Sequence, residues 1–388
     1  MNEGSAPSVL LATTAGYIFP ARLAMALADA GFSVEAVCPR GHFLASTTAV
    51  KRLHHYKALR GVSSLRSALL EAKPSLVIPC DDLARNHLHR LYEAGGGGEI
   101  SVIRQSLGDP SSYPDLESRS RMLTLARREV EAAVETTVVS SPGALKDWLA
   151  ANGLPAVLKT DGSSGGYGVC VISTAEEAGV AHRKLASPPG IARAVKRALV
   201  NHNRTFLLPA WKKISPVVNA QKFIPGAEAT STAVCWQGEV RATLTFEVLR
   251  TMYPGGPASV VRHLENETIN NTVRKTVARL GLSGICGFDF IFEKATGIPW
   301  LIELNPRATQ TVHLRMGAGR DAANALYAAV TGDHTREPVN EVNCDTIALF
   351  PQEWREPLGD FPGPIFHDLP RNEPALLKAI ATSEGKRL

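Results

Sequence analysis

Two apolar runs, Cys286–Phe292 (CGFDFIF) and Trp300–Asn305 (WLIELN), flank the turn-rich stretch EKATGIP. Runs of this length, rich in Phe, Ile and Leu and bounded by turn residues, read as β-strands. A turn centred on Thr296 folds them into an antiparallel hairpin with Asp289 opposite Glu303 and Phe290 opposite Ile302. Side chains two apart share a strand face, so Glu303 and Asn305 lie together. Directly opposed carboxylates repel, yet Phe288, Phe290, Leu301 and Leu304 leave few positions for incidental charge. Two carboxylates with a carboxamide beside them suit a hard cation, and Mg²⁺ commonly takes one or two carboxylates plus nucleotide phosphates. Asp289, Glu303 and Asn305 are therefore candidate metal ligands, against the plainer reading of a solvated strand face. On this pattern alone, removing the Glu303 charge relieves repulsion and holds or raises stability.

A second stretch, AVLKTDGSSGGYGVCVI (Ala156–Ile172), has strand-like sequence on both sides of a glycine-rich loop. It is not a Walker loop, since neither Gly-Lys-Ser/Thr nor a helix follows. Gly162, Gly165, Gly166 and Gly168 let backbone N–H groups close over an anion without Cβ obstruction. Lys159, ending the first strand, is placed to reach phosphate oxygens. A third stretch, AQKFIPGAEATSTAVCWQGEV (Ala220–Val240), offers an extended backbone for an adenine edge and, at Glu228, a carboxylate for ribose hydroxyls. Taken alone it is also an ordinary strand, turn and surface glutamate.

The first hundred residues alternate strands (SVLLATT, SVEAVC, SLVIPC) with helices (Pro20–Ala30, Leu65–Ala72), which predicts a parallel, doubly wound sheet. Ligands bind beyond the carboxyl ends of such strands, where Thr13, Thr14, Asp81 and Asp82 stand. Asp81 and Asp82 read equally as a helix N-cap. The dinucleotide fingerprint GxGxxG is absent. EAGGGGEISV marks a joint, and Ser141, Pro142 and Gly153 bracket a helix. The proline-rich stretch from about 336 predicts an appendage, helical only over Pro374–Ala381.

With 388 residues, 44% hydrophobic and 20% charged, the chain reads as a multidomain globular protein. No apolar stretch has the length of a membrane span, and MNEGSAPSVLLATTAG lacks the pattern of a signal peptide. The expectation is a cytoplasmic enzyme. Net charge is +5, and even the patch Arg119, Arg121, Arg127, Arg128 is interleaved with acids, so no nucleic-acid or membrane partner is expected. Six scattered cysteines without a CxxC pair read as reduced core residues, neither a disulfide frame nor a zinc site.

The segments VLKTDGSSGGYGV, QKFIPGAEAT and GFDFIFEKATGIPWLIELNPRATQT stand in an order and spacing that resemble the ATP-grasp superfamily. The resemblance is specific from Lys159 to about Leu314 and looser over the first 335 residues. It implies an α/β chain, with an N-terminal parallel doubly wound pre-ATP-grasp domain (1–110). A two-subdomain α+β ATP-grasp fold follows, comprising a small lid subdomain (111–200) and a large subdomain with the metal site (201–335). The appendage then covers 336–388. Carried over residue by residue, it implies that Asp289, Glu303 and Asn305 hold Mg²⁺, or Mn²⁺ in its place, and that Lys159 binds the phosphates of ATP. Gly165 and Gly166 close over them. The backbone of Lys222, Phe223 and Ile224 meets adenine, with Glu228 on the ribose. Arg307, in NPR, faces the transferred γ-phosphate or an acyl-phosphate intermediate. Arg119 is the basic residue on the nucleotide. Two departures stand out: Gln221 occupies a hinge position often held by Glu, where it can still bond the adenine amino group, and Ser118 replaces the usual Asp before Arg119.

The chemistry implied is phosphoryl transfer to a carboxylate, giving an acyl phosphate that an amine attacks, with ADP and phosphate released. The substrates are a small-molecule acid and amine, and the sequence leaves a homo-oligomer open. Alternatives are a bicarbonate-activating carboxylase of the same fold and a non-catalytic ATP-binding module. Asp81, Asp82, Arg250, Arg262, His263 and His313 are candidates for substrate recognition. The pocket is expected from the loops Tyr17–Arg22, Arg250–Arg262 and Gln310–Gly319.

Overall fold

The computed structural model describes residues 6–162, 166, 168–191, 207–336, 342–353, 361 and 363–385. The alternation at the start of the chain produces a four-stranded parallel sheet in the order β3-β2-β1-β4. Its strands are β1 (Ser8–Ala12), β2 (Ser33–Cys38), β3 (Val50–His55) and β4 (Leu76–Pro79). β1 and β4 are apolar and buried, whereas β3 (VKRLHH) carries mostly exposed polar side chains at the edge. That composition hid it among the loops in the sequence. Helices Phe19–Asp29 and Gly61–Ala72 cover the sheet. The EAGGGGEISV joint is short, because a further helix starts at Glu99.

A second, antiparallel sheet has the order β5-β8-β6-β7, with β5 (Thr136–Val138), β6 (Ala156–Thr160), β7 (Val169–Ile172) and β8 (Val218–Lys222). One face packs against helices Pro142–Asn152 and Ala175–Ala186 through Ala156, Leu158, Ile172, Val218 and Ala220. Ser141 caps the first of these helices by accepting from the Ala144 amide at 3.1 Å.

The third sheet has seven strands in the order β13-β12-β9-β10-β11-β14-β15. These are β9 (Gly226–Trp236), β10 (Glu239–Thr251), β11 (Ala258–His263), β12 (Gly284–Glu293), β13 (Pro299–Asn305), β14 (Thr346–Ala348) and β15 (Ile365–His367). All neighbours are antiparallel except β14 and β15. The proline-rich stretch therefore contributes two strands to this sheet, besides the helix Pro374–Gly385. On one face, Ala229, Ala233, Cys286, Phe288 and Phe290 join Ile269, Val273 and Val277 of helix Glu267–Leu280 in a fully buried cluster. Asp289, between Phe288 and Phe290 on the strand, points to the other face.

All six cysteines are free; Cys38, Cys80, Cys235 and Cys286 are buried, Cys170 and Cys344 partly so. Among the described residues no helix is long and apolar enough to cross a membrane.

Candidate active site

The hairpin β12–β13 pairs Asp289 with Glu303 directly, but Phe290 pairs with Leu301 and not with Ile302. A β-bulge at Ile302 accounts for the difference. With strict alternation Leu301 would share the face of Glu303; the extra residue turns Leu301 over, so that it and Phe290 are both fully buried in the apolar cluster. The bulge thus lets one strand send Glu303 and Asn305 to one face and its leucines to the other. The Ile302 carbonyl accepts from Lys159 Nζ at 3.4 Å and from Gln221 Nε2 at 3.2 Å.

Around the opposed acids stand three cations. Arg119 Nη1 lies 2.5 Å from Glu303 Oε2 and Lys159 Nζ lies 3.9 Å from the same oxygen. Arg119 opens the helix Arg119–Arg127, which Ser118 caps by accepting from the Arg121 amide; Ser118 thus takes over the capping role that an Asp would serve. Asn305 Nδ2 donates to Asp289 Oδ2 at 3.2 Å, Thr230 Oγ1 donates to Asp289 Oδ1 at 2.9 Å, and Arg307 Nη2 donates to Asn305 Oδ1 at 3.1 Å. Burial and then the facing Glu303 raise the Asp289 carboxyl, while Thr230 and Lys159 oppose the rise. Glu303 is held below the ordinary carboxylate range: burial works against its charge, but Arg119 and Lys159 outweigh burial. Burial lowers the Lys159 ammonium to about 8, with Glu303 opposing.

Arg307 follows the strand in a tight turn, its amide donating to the Asn305 carbonyl at 2.8 Å. Its Nε reaches Asp82 Oδ2 at 3.1 Å, across 225 residues of chain. Asp82 also accepts from Arg85 Nη1 at 3.0 Å. Burial opposes ionisation of Asp82, but Arg307 and Arg85 prevail and hold it at about 2. The sequence placed Asp82 at a strand end without indicating this partner, and gave Arg85 no role. Asp81, by contrast, caps the helix Asp82–Ala94 through the Ala84 amide (2.8 Å) and takes hydrogen bonds from Thr13 and from the Thr14 amide and hydroxyl. Its two oxygens are occupied in joining β1 to β4.

The loop beyond Arg307 crosses back over the sheet. Thr309 and Thr311 share hydrogen bonds with Thr232, each at 3.0 Å, and a Cβ on Gly287 would stand 2.3 Å from Thr309 Cγ2. Gly287 therefore has no room for a side chain where the loop passes.

On the small antiparallel sheet, Lys159 pairs with Val169 and Asn219, and Val157 pairs with Val171 and Gln221. These residues share the face turned away from the two helices. Val169 and Val171 are exposed there, an aliphatic surface beside Lys159 that suits a planar base and that no pattern in the sequence singles out. The Gln221 side chain is buried, donating to Thr136 Oγ1 at 2.8 Å as well as to the Ile302 carbonyl. Lys222 ends β8, Phe223 and Ile224 follow it, and Glu228 lies exposed near the start of β9. Partial desolvation pushes the Glu228 carboxyl up, and Lys159 opposes the rise. Gly166 has φ +77°, and a Cβ there would meet the Gly255 carbonyl at 2.2 Å. Gly166 therefore lies against the β10–β11 turn. Gly165 lies outside the described residues.

The other candidates divide. Arg262 pairs with Glu247 at the surface, and Arg250 with buried Glu353. His263 meets Phe246 edge-on. His313 is buried against Asp368.

For a cation, the donor set is two carboxylates and an amide, all oxygen. Among the described residues no three His, Cys, Asp or Glu side chains gather into a metal cage. That combination fits Mg²⁺, which fills its remaining positions with water and phosphate, and not a zinc cage.

Residues 195–311 match the family model described as the ATP-grasp domain. A sequence search of curated proteins gives no match. Similar solved structures include the biotin carboxylase domain of Hydrogenobacter thermophilus 2-oxoglutarate carboxylase, in complex with Mg-ADP and bicarbonate (15% identity, 86% of this chain and 71% of that one, TM-score 0.60). They also include carboxyaminoimidazole ribonucleotide synthase of Aspergillus clavatus complexed with ATP (14%, 87% and 80%, TM-score 0.61) and L-amino acid ligase of Bacillus licheniformis (16%, 84% and 75%, TM-score 0.56). At these identities the likeness is one of fold. The match to the ATP-grasp domain model spans the acid pair, both strands of its hairpin and Arg307.

Proposed function

We propose that the protein is an ATP-dependent, ADP-forming ligase that activates a carboxylate as an acyl phosphate and joins it to an amine. The observation that carries this reading is the convergence of Asp289, Glu303 and Asn305 with Lys159, Arg119 and Arg307 on one sheet face. Asp289, Glu303 and Asn305 would hold Mg²⁺, whose charge neutralises phosphate oxygens when bound. Lys159 and Arg119, which balance Glu303 in the free protein, are then available to the nucleotide phosphates. Val169 and Val171 would take one face of adenine, the backbone of Lys222–Ile224 its edge, and Glu228 the ribose. Buried Gln221 supports this wall through Thr136 and Ile302.

In the reaction a carboxylate oxygen of the acid attacks the γ-phosphorus and ADP leaves. The amine nitrogen then attacks the acyl carbon, the acyl–phosphate bond breaks, and the amine loses a proton as phosphate departs. Arg307 spans two phosphate oxygens with its planar fork, and phosphoryl transfer depends on such positioning and charge. The glycine loop, whose Gly166 lies against the Gly255 turn, would exclude water from the acyl phosphate.

The test is a screen of paired acids and amines for phosphate release from Mg-ATP. Release that needs both supports the ligase. Release with bicarbonate alone turns the assignment to a carboxylase, and tight ATP binding with no turnover under any pair leaves a binding module.

A further inference from the structure

The loop bearing Arg307 meets two distant parts of the chain at His313. His313 Nε2 lies 2.8 Å from Asp368 Oδ2, and Arg22, on helix Phe19–Asp29, donates through Nη1 to the Asp368 carbonyl at 2.9 Å and pairs through Nη2 with Asp368 Oδ1. Asp368 directly follows β15 and is 2% exposed, and Arg22 and His313 are buried with it. One carboxylate thus joins the N-terminal unit, the edge of the large sheet and the loop six residues beyond Arg307.

The segment around Asp368 has other anchors. Buried Glu373 accepts from the Thr47 hydroxyl at 2.8 Å and from the Thr48 hydroxyl and amide at 2.7 and 3.0 Å. Leu376 and Ile380 pack with Ala21 and Phe350. Asp368 is therefore not needed to attach this segment, and its contact with His313 acts on the loop.

We infer that Asp368 is a positioning residue which, through His313, fixes the loop that presents Arg307. Its kinetic consequence rests on the ligase reading; its effect on the loop does not. Misplacing a reacting group by about 1 Å costs on the order of 10²-fold in rate. Loss of a hydrogen bond to a charged group, about 1.5–3 kcal/mol, corresponds to roughly a tenfold or greater rise in local opening.

The experiment compares the full chain with Asp368→Asn, His313→Gln, their double variant and Glu373→Gln. It measures amide exchange over residues 306–316 with and without Mg-ATP, and phosphate release with the acid and amine found in the screen. Asp368→Asn and His313→Gln should each speed exchange in that loop about tenfold or more and lower kcat about 10²-fold, with KM for ATP nearly unchanged. The double variant should match Asp368→Asn in loop exchange and kcat, because Asp368→Asn already breaks the His313 tether as well as the Arg22 pair. Glu373→Gln should lower the melting temperature and leave loop exchange and kcat alone. Unchanged loop exchange in Asp368→Asn, or the same kinetic loss in Glu373→Gln, overturns the inference. If the wild-type chain releases no phosphate with any pair, the ligase reading fails and the exchange data alone decide the role of Asp368.

Discussion

Replacing Glu303 by Gln provides the sharpest test of the charge arrangement. The opposed acids by themselves predict relief of repulsion, hence equal or greater stability without ligand. The structure reverses the sign. Glu303 is the counter-ion of Arg119 at 2.5 Å and of Lys159 at 3.9 Å, and both cations are buried. Removing one partner of a buried ion pair typically costs about 3–5 kcal/mol, because the other charge is left without compensation. Two effects act the other way: Asp289 loses its facing charge, and Lys159, already lowered to about 8, can shed its proton. A net loss of about 3 kcal/mol is the expectation. At about 2.1 cal/mol/K per residue, a chain of 388 residues melting as one unit shifts by roughly 1.2 °C per kcal/mol. The ligand-free Glu303→Gln protein should therefore melt about 3–4 °C lower in a calorimetric or dye-based scan, and should have no turnover. Pairing Glu303→Leu with Arg119→Met should recover most of the loss, since a buried ion pair replaced by apolar groups is often neutral. A single variant that melts at or above the wild-type temperature would refute this account and make the repulsion between Asp289 and Glu303 the larger effect.

Arg307→Lys should lower kcat roughly 10²–10³-fold, the scale of one lost transition-state donor, and barely move KM for ATP; Lys159→Ala should mainly raise KM. Single-turnover rates at saturating ATP separate the two, and normal chemistry with weak ATP binding in Arg307→Lys would reduce that arginine to a ground-state contact. Gly166→Val places a branched side chain at φ +77° and against the Gly255 carbonyl. It should weaken ATP binding by about tenfold or more with adenosine binding little changed, and equal losses for both ligands would indicate a general defect. His42 is buried, its Nδ1 accepts from the Leu44 amide at 3.1 Å, and burial lowers its pKa to about 4. A histidine depressed in the folded state contributes fully above its unfolded pKa of about 6.5 and loses that contribution as pH falls towards 4. His42→Asn should therefore flatten the fall in stability between those values by about 3 kcal/mol, read as the difference between denaturation series of the two proteins; parallel series would refute the assignment.

What the sequence determined by itself follows from local periodicity and turn chemistry. The opposition of Asp289 and Glu303, the glycine loop between two strands, the Ser141 cap and the parallel N-terminal sheet all depend on residues near one another in the chain. The tertiary structure decided the rest. Strict alternation cannot show a bulge, so the packing demand of Leu301 against Phe290 had to be seen to explain why Ile302 pairs with neither and why its carbonyl meets Lys159 and Gln221. β3 was hidden because an edge strand need not be apolar. The pairing of Glu303 with Arg119, of Arg307 with Asp82, and of His313 with Asp368 and Arg22 joins residues far apart in sequence. Charge attracts over distance without leaving any pattern along the chain, so which acid meets which base was fixed only when the three sheets came together.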